Sequence, residues 1–256
     1  MLVRLLPSHG RAPLRFQPFT TFLVDRHVAL DAGSLGFGLT LAEQRRVHHV
    51  VVSHTHADHT ASLPIFVAEV YPFLKAPIVI HAPPVVLSGL RRHVFNGRVW
   101  PDFRRIALEG SARAALEYRP CRYGRPFTVE GLTWTAFRVN HTVDTCGFLV
   151  SDGTSSVLFS SDTTTTDELW RVANRTRDLR AIYVDVSYPS GMEPLARRAR
   201  HYTPTSLLCD LEKLERDVPI LAVHLKPSLR DRVAREIAAL RHPRLRVAEI
   251  GRDVRW

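Results

Sequence analysis

Cysteine is scarce in this 256-residue chain: Cys121, Cys146 and Cys209 are scattered, with no CxxC pair. That argues against a disulfide framework and a thiolate zinc site, and it points to a reducing compartment. Long apolar runs are missing too. No stretch approaches the roughly 18 apolar residues of a membrane span, so no contact with a membrane is expected. The opening MLVRLLPSHGRAPLRF has one early arginine and no sustained apolar region before a small-residue cleavage site. A signal peptide is therefore not expected, and the chain reads as cytoplasmic. Internal repeats, low-complexity segments and linkers are also absent from the sequence, so residues 1–256 read as one domain. Acidic residues are in the minority, with 25 Asp and Glu against 35 Lys and Arg, a net charge of +10. Such an excess attracts polyanions and anionic substrates. The arginines are nevertheless spread along the chain in short clusters, as on a solvated surface.

What is present is core. Hydrophobic residues make up 45% of the chain and charged residues 23%, the profile of a globular protein. LVRLL, TFLV, HVALD and the apolar HHVVVS read as strands, and PIVIHAP follows as another. Glu130–Gly131 and Asp152–Gly153 each sit between two strand-like runs and signal hairpins. SLPIFVAEVYPFL, SLLCDLEKLE and DRVAREIAAL have helical spacing, while AIYVDVSYP and PILAVHLKP are apolar strands ending in polar residues. This pattern predicts sheets inside and helices outside.

The densest chemistry lies in VVSHTHADHT, residues 51–60, where His54, His56, Asp58 and His59 follow a run of valines. The loop at the C-terminal edge of that strand should run into a helix beginning near Ser62, a place where sheet proteins put function. His54 and His56, two apart in an extended segment, can point to one side, and Asp58 and His59 can face a second point nearby. Imidazoles with a carboxylate suit zinc or a similar borderline metal. This cluster cannot complete two coordination spheres, so two metals would need ligands downstream. His141, Asp162 and His224 each sit just past a strand-like run and are the candidates.

HTHADH, with NH at 140–141, SSDT at 160–163 and HLKP at 224–227, resembles the metallo-β-lactamase superfamily. Within it the chain is most similar to the class II cyclic-nucleotide phosphodiesterases, and HVFNGRVWPDF, TSSVLFSSDTTTT and ARHYTPTSLLCDLEKL extend the resemblance over nearly its whole length. It departs from that family's metal motif at Ala57, where leucine is usual, and at Thr60, where an apolar residue is usual. The resemblance implies an αβ/βα sandwich, with two mixed sheets face to face and helices on both outer sides. His54, His56 and His141 would hold one metal, Asp58, His59 and His224 a second, and Asp162 would bridge them. The cofactors implied are two divalent ions, zinc first, with manganese or ferrous iron as alternatives. Asp31 matches an early aspartate that orients the metal loop; it reads equally as an Asx-turn at the end of its strand.

The activity implied is hydrolysis of a 3′,5′-cyclic nucleotide, cyclic AMP or cyclic GMP, to the 5′-monophosphate by hydroxide held at the two metals. His201 and Thr203, in RHYTP, resemble the His-x-Thr element of related phosphodiesterases. Asp185 fills the acidic position that steadies the histidine, where the class II family usually has glutamate. His201 and Asp185, with Asp58, are the expected catalytic residues; the alternative for His201 is a surface position beside a helix. Phe95, Asn96, Trp100 and Thr203 are the expected substrate contacts, although FNGRVWPDF reads equally as a packed loop. His81, His93 and His242 are expected to be structural or surface residues, and His48 and His49 edge residues. Two other classes stay open: an endonuclease of the tRNA 3′-end type, which the charge favours, and a lactamase- or thioesterase-type hydrolase. Against the nuclease stands the lack of a Gly/Pro-rich arm to clamp tRNA. The partner implied is a small anionic nucleotide, with nucleic acid and a homodimer left open.

Overall fold

The computed structural model of the chain describes residues 1–10 and 16–256. Residues 11–15, part of the stretch in which no signal peptide is expected, lie outside the described residues. The chain divides into two compact units, Leu2–Arg122 with Ile250–Arg255, and Tyr123–Glu249 with Met1 and Trp256. In the first unit the strands are β1 (Leu2–Leu5), β2 (Phe22–Val24), β3 (Val28–Leu30), β4 (His49–Val51), β5 (Ile78–Ala82) and β6 (Leu116–Pro120). Its helices are α1 (Leu35–Gly38), α2 (Leu41–Gln44), α3 (Ala57–Thr60), α4 (Leu63–Val70) and α5 (Pro84–His93). The second unit carries β7 (Pro126–Val129), β8 (Leu132–Arg138), β9 (Cys146–Ser151), β10 (Ser156–Phe159), β11 (Leu179–Asp185), β12 (Ile220–Val223) and β13 (Leu245–Val247). Its helices are α6 (Asp167–Arg175), α7 (Glu193–Ala199), α8 (Pro204–Leu211) and α9 (Arg230–Ala239). The last strand, β14 (Val254–Arg255), belongs to the first unit.

Each unit is built on a mixed seven-stranded sheet. The orders are β14-β1-β2-β3-β4-β5-β6 and β7-β8-β9-β10-β11-β12-β13. In both, the first four strands pair antiparallel and the last four, sharing the middle one, pair parallel. One pairing pattern thus occurs twice with no repeat in the sequence, although the first sheet takes its edge strand β14 from the far end of the chain. Turn chemistry accounts for the antiparallel part. Glu130 and Gly131 adopt φ of +49° and +77°, the left-handed pair that suits a tight hairpin between β7 and β8. The parallel strands need crossovers, and α4, α5, α6, α8 and α9 lie in those connections.

Helices pack on each sheet through buried apolar residues. In the first unit Leu63, Phe66 and Val67 of α4 and Val86 and Leu90 of α5 share a core with Val50, Ile78 and Ile80. In the second, Trp170, Leu207 and Ile237 share one with Ile182, Val184 and Ile220. Two mixed sheets flanked by helices are therefore present, as the sequence predicts. Among the described residues no helix is long and apolar enough to cross a membrane. The polar residues of interest sit at strand ends: Asp31 after β3, His54 after β4, Asp162 after β10, Asp185 closing β11 and His224 after β12.

Candidate metal centre

In the first unit the metal motif is held by its backbone. Val52 continues the ladder to the His81 carbonyl (2.9 Å), and Asp31 bonds back to Val51 (2.8 Å) with a left-handed φ of +59°. The motif does not stay a loop as far as Ser62. It turns into α3 at Ala57, and α4 begins separately at Leu63. The amides of Thr20 and Ala32 donate to the carbonyls of Asp58 and His59, each at 2.8 Å. Gly33 makes this approach feasible, because a Cβ there would lie 2.0 Å from the Asp58 carbonyl oxygen.

The buried Asp31 carboxylate organises the side chains. Its Oδ1 accepts the Ser53 amide (2.8 Å), and its Oδ2 accepts the Ser53 hydroxyl (2.9 Å) and Nδ1–H of His59 (2.7 Å). With its one proton directed at Asp31, the Ser53 hydroxyl accepts Nδ1–H of His54 at 2.9 Å. Both buried imidazoles are thereby held as Nδ1 tautomers, with the lone pair on Nε2. The His54 ring lies 4.7 Å from that of His56 and 4.2 Å from that of His59, centroid to centroid.

The second unit repeats this logic. Asp185 is fully buried; its Oδ1 accepts the Ser187 hydroxyl (2.7 Å), and its Oδ2 accepts Nδ1–H of His201 (2.5 Å) and the Thr163 amide (3.1 Å). Ser187 in turn accepts Nδ1–H of His224 at 2.8 Å, and the Arg200 carbonyl accepts Nδ1–H of His141 at 3.1 Å. Burial alone would push the Asp185 carboxyl up, but the His201 imidazole, facing and hydrogen-bonded to it, holds it below the ordinary carboxylate range. His141 is pushed down by burial, against the pull of the Asp162 charge, so it is neutral and able to ligate. Nε2 of His141 and of His224 lies 3.8 and 3.6 Å from Oδ2 of Asp162. Two donors on one tetrahedral ion with bonds of about 2.1 Å stand roughly 3.4 Å apart. The His201 ring stacks on His224 (5.3 Å, 20°) and meets His141 edge-on (5.0 Å, 60°). Imidazole Nε2 atoms with Nδ1 occupied, plus a buried carboxylate, make a donor set that fits a divalent ion.

A family model for the beta-lactamase superfamily domain matches residues 30–242. The chain belongs to this superfamily. Over 211 residues it is 26% identical to a probable 3′,5′-cyclic-nucleotide phosphodiesterase of Yersinia pestis, covering 72% of this chain and 59% of that protein. The chain thus spans less than two thirds of that relative's length. Unliganded yeast PDE1 superimposes with a TM-score of 0.77 at 15% identity, over 98% of each chain. Human tRNase Z, short form, does so at 0.67 and 15%, over 100% of this chain and 99% of that one. At such identities the structural matches establish the metallo-β-lactamase fold. In the second unit Asp162, Asp185, His201 and His224 come close enough together that they could hold a metal ion.

Several expected contacts belong elsewhere. Phe95 is fully buried in the first unit's core and offers no ring face to a base. The Asn96 side chain is spent on its own turn, donating to the Arg92 carbonyl and accepting from the amides of Arg98 and Val99. Trp100 packs half-buried against the same core. Thr203 is buried and caps α8, its hydroxyl accepting the Ser206 amide (3.2 Å) and donating to Glu193 (2.7 Å). His201 is a buried partner of Asp185, not a surface residue. His49 opens β4, an interior strand, and meets the buried His81 ring nitrogen to nitrogen at 3.0 Å. Ser53, Ser187 and Arg200 were not singled out from the sequence. The signal available was slight: each lies within two residues of a candidate histidine or aspartate.

Proposed function

We propose that this hydrolase opens a 3′,5′-cyclic nucleotide to the 5′-monophosphate at two divalent metal ions. His54, His56 and His141 would hold one ion, Asp58, His59 and His224 the other, and Asp162 both. Zinc suits these donors, with manganese and ferrous iron as alternatives. Bound there, divalent ions supply acidified water and positive charge for the phosphoryl oxygens.

The observation that carries the reading is the His201–Asp185 pair, buried against the imidazole of His224 and edge-on to His141. A hydrolase acting on good leaving groups has no need of it. A phosphodiester with an alkoxide leaving group needs a proton at that oxygen. With Nδ1 tied to Asp185, His201 delivers the proton from Nε2, and Asp185 steadies the imidazolium. Asp31 and Ser53 in one unit, and Asp185 and Ser187 in the other, hold the ligand imidazoles in register. The phosphodiesterase relative supports the substrate class.

The net charge of +10 favours the nuclease alternative. The deciding experiment is a metal-replete activity panel of cyclic AMP, cyclic GMP, a 2′,3′-cyclic nucleotide and a tRNA precursor. Formation of a 5′-monophosphate from a 3′,5′-cyclic nucleotide supports the reading. Cleavage of the tRNA precursor with no turnover of cyclic nucleotides overturns it.

A further inference from the structure

Beside His141, in the second unit, lies a polar cavity of about 410 Å³ lined by Tyr123, Arg138, His141, Thr142, Asp144 and Arg200, among others. Arg200 is fastened to His141 twice. Its carbonyl accepts Nδ1–H of that ring (3.1 Å), and its Nη1 donates to the His141 carbonyl (2.6 Å). It does so from a left-handed backbone, φ +53°, unusual for a residue with a Cβ. Arg138 stands 4.3 Å over the Tyr123 ring, a cation–π contact that fixes its guanidinium at the cavity wall.

Charge is the informative feature. Several arginines elsewhere in this chain find carboxylates: Arg4 and Arg26 share Asp253, and Arg104 takes Asp102. Among the described residues, neither Arg138 nor Asp144 enters an ion pair, although both line this cavity. A pocket that presents a guanidinium and a carboxylate without pairing them complements a ligand carrying acceptors on one edge and donors on another. Guanine is such a ligand. Its O6 and N7 accept from a guanidinium, and its N1–H and N2–H donate to a carboxylate. Adenine offers a lone pair at N1, which the Asp144 carboxylate repels. A second phosphate would meet the same carboxylate and be repelled outright.

We propose that this cavity is the base subsite of the enzyme and that it selects guanine, with Arg138 reading O6 and N7 and Asp144 reading N1–H and N2–H. Arg200 links the subsite to the ligand His141, so a bound base registers the nucleotide against the reacting phosphate. The proposal rests on the nucleotide reading above and adds the identity of the base.

The test is calorimetric titration of the purified protein with 5′-GMP, 5′-AMP and 5′-XMP, which needs no turnover. The wild type should bind GMP more tightly than AMP by roughly tenfold or more, the worth of one good bidentate contact. Asp144→Asn should lose that preference and turn toward XMP, whose carbonyl at C2 accepts from the new amide. Arg138→Met should weaken GMP and XMP together. An unchanged melting temperature in both variants shows that they fold. Equal affinity of the wild type for GMP and AMP, or an unchanged GMP:XMP ratio in Asp144→Asn, overturns the subsite. A protein that discriminates GMP but hydrolyses no cyclic nucleotide contradicts the reaction and leaves the subsite standing. Hydrolysis of cyclic nucleotides without base discrimination does the reverse.

Discussion

One hydroxyl, that of Ser187, touches Asp185 at 2.7 Å, His224 at 2.8 Å and His201 at 3.2 Å. Ser53 stands in the same relation to Asp31 and His54. Removing such an outer partner of a metal-binding histidine typically costs about 10- to 100-fold in metal affinity. Ser187→Ala should therefore weaken metal retention by that factor in chelator competition, while Ser187→Thr, which keeps the hydroxyl, should recover most of it. His201→Ala should behave differently. Metal content should stay, and turnover should fall roughly 10²- to 10⁴-fold on a cyclic nucleotide. The loss should shrink on a nitrophenyl ester, whose leaving group needs no proton. Equal losses on both substrates would remove the acid role. The histidines and aspartates were legible because chemistry gathers them in one short motif and at strand ends. The serines were not, because serine is common and only the fold shows where its single proton goes. Thr203 misled for a related reason: its place in RHYTP reads as a contact, while its hydroxyl caps α8.

At the scale of elements, the strand loops depend on close backbone contact. Gly33→Ala would drive a methyl into the Asp58 carbonyl and displace the turn that presents Asp58 and His59. Weaker metal binding is expected from a chain that still folds, measured as metal content beside a thermal melt. β14 gives a second test. Asp253, next to it, accepts from Arg4 (2.6 Å) and Arg26 (2.6 Å), and the Arg4 hydrogen bond chiefly holds its carboxyl down at about 2. The unfolded chain takes up that proton near pH 3.9. The contribution is thus full above about 3.9 and lost as pH falls through about 2. The melting-temperature difference between wild type and Asp253→Asn should be present near pH 7 and vanish near pH 2. Hairpins and buried strands were readable because Glu130–Gly131 and the valine runs obey local rules. The repeated pairing pattern was not, since strand pairing can recur without any residue recurring. Phe95 was misplaced because an aromatic in a loop looks the same whether it faces a ligand or a core.

For the whole molecule, the net charge of +10 separates a small substrate from a polymer. A cyclic nucleotide neutralises few charges, so its apparent affinity should weaken only mildly with salt. A polynucleotide would show a steep log–log slope set by its phosphate contacts. We propose that His54, His56, Asp58 and His59, with His141, Asp162 and His224, would hold two metal ions that share Asp162. Metal content per chain, measured by mass spectrometry on the wild type and on Asp162→Ala after identical metal loading and desalting, tests it most directly. The account predicts two divalent ions in the wild type and most of that metal lost from the variant, with turnover down by several orders of magnitude. Two ions retained in Asp162→Ala would contradict it.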